Sequence, residues 1–411
     1  MQPLMKKQAL KNLDDPRFYI NREMSWLQFN ERVLREAQNM ELPLAERLKF
    51  LSIVSSNLDE FFMIRVAGLQ QQKAAGIRKR DPSGLTPSQQ LYSISGKVRD
   101  IVEAQTNTVG EVFEALKEHH FAVLQPSDWS PKQREYLSGY FNSQIHPVLT
   151  PMAVEALEVC PVLQGLQLFV ALSIRARGET DDKIIVIPVP GLFPRFVNVP
   201  TVGRVCVALL EEIIVDNVLS LFPGHEAVAH AVFRITRDAD VDIQDDEADD
   251  LLSSIETIVR SRRHRAAVRL EISAKPRTRI KRWLVDTLGI KSEDVYDIEG
   301  LLDTKALMQL TGIHPIHELK PKDWPAQTPQ DLVNSDDLWQ TIREGDVLLS
   351  HPYERFDPVV ELVEQAAQDP DVLAIKQTLY RTSGDSPIVR ALSQAAANGK
   401  EVTVLVELKA R

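Results

Sequence analysis

Residues 372–411, VLAIKQTLYRTSGDSPIVRALSQAAANGKEVTVLVELKAR, predict a strand, a helix and a second strand in one parallel sheet. Ser386 is placed to cap the helix, Pro387 fits its first turn, and Gly399 fits its end. Upstream, VLLS (347–350) and DPVVELVEQAAQ (357–368) add a further strand and helix. The pattern is therefore β-α-β-α-β, which is typical of the opening of an open α/β domain.

The last predicted strand, residues 401–409, is dense in Val and Leu and is followed only by Ala410 and Arg411. Such a strand belongs inside a sheet, whereas domains usually end at their surface. We therefore expect the 411 residues to be an amino-terminal piece of a longer protein.

The rest of the chain divides into regions with different patterns of predicted helices and strands. Residues 15–120 have helical periodicity, with Ser25 and Gln28 as a predicted capping box, and indicate a helical bundle. Residues 121–328 mix short strands with helices and indicate an α+β domain. A stretch rich in proline and polar residues, 317–330, is the best linker before the third region, 329–411.

Composition limits the class of protein. No apolar run approaches the roughly 20 residues that span a bilayer, and the first residues lack the apolar core of a signal peptide. Cys160 and Cys206 lie in apolar contexts and favour buried thiols over a disulfide, as in the cytoplasm. The net charge of −10 disfavours general nucleic-acid binding.

Two arginines follow neighbouring predicted strands: Arg381 the second and Arg411 the third. Because parallel strands end at one edge of the sheet, both side chains can converge there and bind phosphate oxygens. The alternative is two solvent-facing arginines at strand ends. His351 follows the first strand, where a structural histidine in a turn is the simpler interpretation.

A basic stretch covers residues 260–282, with ten Lys or Arg and one acid, Glu271. It lacks the aromatic residues that stack on bases, and therefore favours a polyphosphate-like ligand over nucleic acid. The alternative is that the basic stretch is a solvated face, balanced in charge by the acidic run 238–250. The acidic run fits a solvated loop better than a divalent-ion site. The arginines that we consider for polyphosphate guidance are Arg260, Arg262, Arg263, Arg265, Arg277 and Arg279.

The stretch SIVSSNLDEFF, residues 52–62, interrupts an apolar helical pattern with polar residues. Asn57 could cap a new helix, with Glu60 closing a capping box. Alternatively, its amide could bind a base or a phosphate at a helix start.

Taken together, these stretches resemble the bacterial polyphosphate kinases that work through a phosphohistidine. The resemblance rests on segments such as NREMSWLQFNERVLREA, RLKFLSIVSSNLDEFFMIRVAGL, FPRFVNVP, RITRDAD and GKEVTVLVELKAR, which occur in the family's order. It implies a helical amino-terminal domain, an α+β head domain and the start of a phospholipase D-like α/β domain.

The resemblance also implies an activity and a set of site residues. Asn57 matches an ATP-contacting asparagine, and Arg381 and Arg411 match arginines at the phosphate and magnesium site. Arginine cannot coordinate a cation, so we expect Mg²⁺ to be carried on the phosphates with no direct protein ligand. The family transfers the γ-phosphate of ATP reversibly to polyphosphate through a histidine in an H-x-K motif beyond the third strand.

We therefore expect the catalytic histidine downstream of Arg411 and the 411-residue chain to be inactive alone. Further expectations are a cytoplasmic phosphoprotein, a homo-oligomer, and ATP, ADP and polyphosphate as partners. Two alternatives stay open: a phospholipase D-like phosphodiesterase, and a non-catalytic polyanion-binding module.

Overall fold

The computed structural model describes residues 14–154, 163–239, 265–273, 278–333, 337–380 and 385–407. It is multidomain, with helices and mixed sheets, and divides into two compact units, Met1–Pro321 and Lys322–Arg411. The finer domain bounds, 15–120, 121–328 and 329–411, stay a prediction. No helix in the described ranges is long and apolar enough to cross a membrane.

A bundle of helices opens the first unit. Leu27, Leu48 and Val98, from three of its helices, are completely buried, which follows from their spacing on one face of each helix. A π-helical turn, Phe62–Val66, joins the second and third helices. The bundle helices are α1 (Arg22–Gln38), α2 (Leu44–Phe61), α3 (Ala67–Ala74) and α4 (Pro87–Glu118).

The start of α1 corrects one prediction. Asn21, and not Ser25, caps this helix, because its side-chain oxygen accepts a hydrogen bond from the Met24 N–H at 2.9 Å. Ser25 is an exposed residue inside the helix. Helix α4 begins with a full capping box between Thr86 and Gln89.

Two sheets follow the bundle. The smaller one has the order β1 (Phe121–Leu124), β6 (Val205–Leu209) and β5 (Phe196–Val199), with β1 parallel to β6. Helices α5 (Pro131–Tyr140) and α6 (Leu210–Asn217) belong to the same region. The larger sheet has the order β2-β4-β3-β7-β8-β9, and its members are β2 (Met152–Ala153), β3 (Leu168–Ala176), β4 (Asp182–Pro188), β7 (His225–Arg237), β8 (Ala267–Ser273) and β9 (Val295–Ile298).

The larger sheet is covered on both faces. Alternate residues point to opposite sides, so that Val170 and Val232 join the bundle core while Phe169 and Phe233 pack on the other side. The second face is covered by α7 (Thr278–Leu288). The strand pairings in this sheet are antiparallel from β2 to β8 and parallel between β8 and β9, and an α+β head domain stays a prediction.

The second unit contains α8 (Leu338–Glu344), α9 (Asp357–Gln368), β10 (Ala374–Leu379), α10 (Pro387–Ala397) and β11 (Glu401–Val406). Strands β10 and β11 are parallel neighbours, as the opening stretch predicts. The strand predicted at 347–350 is wrong. Ser350 forms a turn instead: its N–H donates to the Glu354 carboxylate at 2.7 Å, and its carbonyl accepts the Glu354 N–H at 2.9 Å.

One carboxyl group at the junction of bundle and sheet has a shifted pKa. Burial and the neighbouring Glu293 carboxylate raise the pKa of Asp294 from 3.8 to about 6, although the Gln70 side chain donates a hydrogen bond to it. Ionisation of Asp294 therefore costs folding free energy. The cost is absent below pH 4, grows between pH 4 and 6, and is complete above pH 6.

Replacing Asp294 by Asn removes this cost and keeps an oxygen for Gln70. We expect Asp294→Asn to stabilise the chain at pH 7.5 by about 1 kcal/mol, after allowance for partial exposure, and to have little effect at pH 4. Urea unfolding at the two pH values measures the difference. The exposed Asp286→Asn is the control, and equal effects of Asp294→Asn at both pH values would contradict the account.

Candidate functional site

Helix α2 runs through residues 52–61 of the polar stretch, and the π-helical turn continues it from Phe62. Asn57 therefore lies inside the helix, and the predicted cap is wrong. The polar side chains find partners on neighbouring elements instead of ending the helix. Ser52, for example, is buried and donates its hydroxyl hydrogen to the Lys305 carbonyl at 2.7 Å. Asn57 itself is half-buried.

Two asparagines join α1 to α2. The Nδ2 of Asn57 donates to the Oδ1 of Asn30 at 2.9 Å. Asn30 is completely buried, and its own Nδ2 donates to the Val54 carbonyl at 3.2 Å. The amide of Asn57 is therefore held at one edge by a rigid neighbour.

Two residues after Asn57, Asp59 points into the larger sheet and meets two arginines. Arg234 of β7 binds it with both terminal nitrogens, with Nη1 at 2.8 Å from Oδ1, and Arg269 of β8 places Nη2 2.6 Å from Oδ1. All three side chains are buried, and Arg234 is only 1% exposed. This bidentate geometry is the strongest form of carboxylate recognition in proteins.

Neighbouring strand residues complete the cluster, because Arg234 pairs with Glu271 across the sheet and Thr236 pairs with Arg269. The Glu271 carboxylate lies 2.9 Å from Arg234 and 3.2 Å from Arg269. The Thr236 hydroxyl accepts from Nε of Arg269 at 3.1 Å. The guanidinium of Arg269 also stacks 4.4 Å from the centre of the Phe62 ring.

The charges hold each other ionised. Burial alone would raise the pKa of Asp59, but Arg234 and Arg269 outweigh it and keep that pKa below its usual value. Burial alone would lower the pKa of Arg234, but Glu271, Asp59 and Asp303 outweigh it and keep that pKa above its usual value. The cluster is therefore a set of paired ions fixed between the bundle and the sheet.

Asp303 connects this cluster to a second buried ion pair. Its Oδ1 lies 3.5 Å from Arg234, and its backbone carbonyl accepts from Nη1 of Arg195 at 2.8 Å. Arg195 forms a bidentate pair with Glu211, with Nε 3.0 Å from Oε1. A cleft of about 560 Å³ lies beside it and is lined in part by Gly165, Phe193, Arg195, Asp303 and Gln309. Asp303 has a left-handed backbone, with φ 47°, which aspartate tolerates better than most residues.

The arginines predicted to bind phosphate or polyphosphate lie mostly outside the part of the chain that the structure describes. Arg381, Arg411, Arg260, Arg262, Arg263 and Arg277 lie outside the described residues. Arg265 is half-exposed, and Arg279 is exposed and donates to the Asp182 carbonyl. The basic stretch is not a single exposed face. Arg269 lies within it but is buried, with its guanidinium bound to Asp59, Glu271 and Thr236.

Two further predictions concern histidine and metal sites. In the second unit His351 sits in a turn, with Nδ1 2.9 Å from the Glu354 carbonyl and its ring against Phe356, which fits the structural interpretation. Within the described part of the chain, no three His, Cys, Asp or Glu side chains are grouped as metal ligands would be.

The sequence interpretation did not identify Asp59, Arg234 and Glu271. One signal was available: RIT at 234–236 and RLE at 269–271 each place polar residues alternately in a strand. That alternation usually marks a solvent-facing side, and only the structure shows that α2 covers it.

Models of three domains from one family match the chain in order. The polyphosphate kinase amino-terminal domain matches residues 19–124, the middle domain 132–310, and the first carboxy-terminal domain 337–411. The chain belongs to the polyphosphate kinase family.

Individual relatives agree with the family models. A polyphosphate kinase of Exiguobacterium sibiricum is 43% identical over 406 residues, covering 97% of this chain and 56% of the relative. One of Bacillus cereus is 45% identical over 419 residues, covering 99% of this chain and 59% of the relative. A crystal structure of polyphosphate kinase from Porphyromonas gingivalis is 29% identical and aligns with a TM-score of 0.80, covering 95% of this chain and 56% of that one. The chain thus spans little more than half the length of the relatives it matches.

The Asp59 cluster generates a prediction about stability. We expect Asp59→Asn to lower the free energy of unfolding of the first unit by about 3–5 kcal/mol, because two buried guanidinium groups lose a shared carboxylate. Urea unfolding measures the change. The exposed Asp100→Asn on α4 removes a carboxylate of the same size and is expected to change stability by less than about 0.5 kcal/mol. A loss below about 1 kcal/mol in Asp59→Asn would show that the cluster is not a strong link.

Proposed function

We propose that the parent protein of this chain is a cytoplasmic polyphosphate kinase, and that residues 1–411 supply its adenine-binding and head regions. The observation that carries the proposal is the match of three successive family domains, in order, along the chain. The reaction is the reversible transfer of the γ-phosphate of ATP to a growing polyphosphate chain. The relatives described above are polyphosphate kinases, and nothing among these findings favours a phosphodiesterase.

Asn57 is the proposed contact with ATP in this part of the chain. Its half-buried amide is fixed on one side by Asn30, and α2 is fixed two residues later by the two arginines that bind Asp59. A ligand-binding amide that cannot swing loses little conformational entropy on binding. The rigid setting of Asn57 therefore supports its role.

Phosphate binding is assigned to two arginines by resemblance. Arg381 and Arg411 hold phosphate oxygens in this proposal, and Mg²⁺ arrives with the nucleotide as part of the substrate. Phosphoryl transfer depends mainly on positioning and charge stabilisation, which paired arginines provide. The phosphohistidine intermediate, the phospholipase D-like character of the second unit and a homo-oligomeric state are parts of the same proposal.

The role of Asn57 can be tested by nucleotide binding. We expect Asn57→Ala to weaken binding of Mg·ATP about tenfold, because a hydrogen bond in a fixed geometry is lost. Equilibrium dialysis with labelled ATP measures the affinity. Gln72→Ala removes an exposed amide on α3 and serves as the control. Equal ATP affinity in Asn57→Ala and in the unmodified chain would remove Asn57 from the site.

The basic stretch can be tested separately with polyphosphate. We expect the triple charge reversal of Arg260, Arg262 and Arg263 to Glu to weaken polyphosphate binding roughly tenfold at low ionic strength and to flatten its salt dependence. Reversal of the exposed Arg78, Lys79 and Arg80 is the matched control, since it changes the net charge equally. If both triple variants bind polyphosphate with the same affinity and salt dependence, the stretch has no guiding role.

A further inference from the structure

The buried carboxamide of Asn30 has one favourable orientation. Its Nδ2 faces the Val54 carbonyl at 3.2 Å, and turning the amide over would bring two hydrogen-bond acceptors together. Asn30 is completely buried, so water cannot relieve that clash. The Oδ1 of Asn30 therefore always faces Asn57.

The orientation of Asn30 sets that of Asn57. Only a donor satisfies the Oδ1 of Asn30, and the Nδ2 of Asn57 is that donor at 2.9 Å. The Oδ1 of Asn57 is then on the other side of its amide. In the described part of the chain, no hydrogen bond reaches this oxygen, and the residue is half-buried, so the oxygen is an acceptor open to a ligand.

We propose that Asn30 sets the nucleotide selectivity of this protein. By fixing Asn57 with its oxygen towards the ligand, Asn30 favours a purine that carries an amino group at position 6, as adenine does. A purine with an oxygen at position 6, such as hypoxanthine or guanine, would place acceptor against acceptor. The inference rests on the proposed binding of ATP at Asn57 and adds the basis of its selectivity.

The surface beside Asn57 suits a purine ring. Ile53 lies one turn earlier on the same face of α2 and is 38% exposed, which leaves apolar area next to the acceptor. Asn30 cannot touch the nucleotide, because it is fully buried. It is a positioning residue that acts through Asn57.

ATP and ITP test the inference, since they differ only in the group at position 6 and the hydrogen on N1 that goes with it, and they carry equal charge. The probe is equilibrium dialysis of the 411-residue chain with each labelled nucleotide and Mg²⁺. For the unmodified chain we expect ATP to bind about tenfold more tightly than ITP. ATP gains one hydrogen bond to the Asn57 oxygen, whereas ITP places an oxygen against it. In Asn30→Leu, Asn57 can turn over to suit either base, and the ratio falls to about threefold or less.

Asn30→Asp is the matched variant. Its buried carboxyl still offers an oxygen to Asn57, and in its protonated form donates to the Val54 carbonyl, so orientation is kept. The affinities for both nucleotides, and the ratio of the two, therefore stay near those of the unmodified chain. A purely structural role of Asn30 would alter both variants alike, and circular dichroism melting confirms that each is folded.

The outcomes separate this inference from the proposed function. Equal binding of ATP and ITP by the unmodified chain overturns the inference without any variant. An unchanged ratio of the two affinities in Asn30→Leu overturns the inference too. In that case Asn57 remains an ATP contact if Asn57→Ala weakens the binding of both nucleotides. If Asn57→Ala affects neither nucleotide, ATP does not bind at this residue, and the proposed site and the inference fail together.

Discussion

The pairing of Asp59 with Arg234 and Arg269 is the interaction on which the arrangement of the first unit depends. Each buried ion loses several kcal/mol of hydration, so the cluster is stable only when every charge is matched and hydrogen-bonded. Here Glu271 pairs with Arg234, and the Thr236 hydroxyl accepts a hydrogen bond from Arg269, so the N–H groups that do not bind Asp59 also have partners. An apolar contact would tolerate small shifts of α2 along the sheet, whereas bidentate ion pairs define a single register.

That register matters because Asn57 is only two residues away on the same helix. The helix is fixed from the sheet side by Asp59 and from the bundle side by Asn30, which itself hydrogen bonds to Val54 of α2. Asn57 therefore combines a rigid backbone with a half-exposed amide. In the proposed kinase this gives ATP a fixed contact on α2.

The sequence predicts much of the local structure, because local signals suffice for it. The helical periodicity that includes α4 and the β-α-β pattern around α10 are both readable within short windows. The exceptions have local causes as well. Helix α1 begins three residues before Ser25, with Asn21 as its cap. Ser350 is not in a strand, because its backbone forms a turn with Glu354.

The candidate site is harder to predict, because its contacts are distant in sequence. Asp59 lies 175 residues from Arg234 and 210 from Arg269. No local pattern shows that an acid in a helix and two arginines in strands are partners. The polar interruption at residues 52–62 singles out Asn57, and the family resemblance predicts its contact with ATP. The orientation of its amide depends on Asn30, whose burial no motif indicates.

Hydrogen–deuterium exchange with and without saturating Mg·ATP tests the central claim most directly. If α2 carries the adenine contact, ATP slows amide exchange in peptides that cover residues 52–62 and the facing part of α1, and Asn57→Ala abolishes that slowing. The account is contradicted if ATP binds and slows exchange elsewhere in the chain while these two helices exchange as they do without nucleotide.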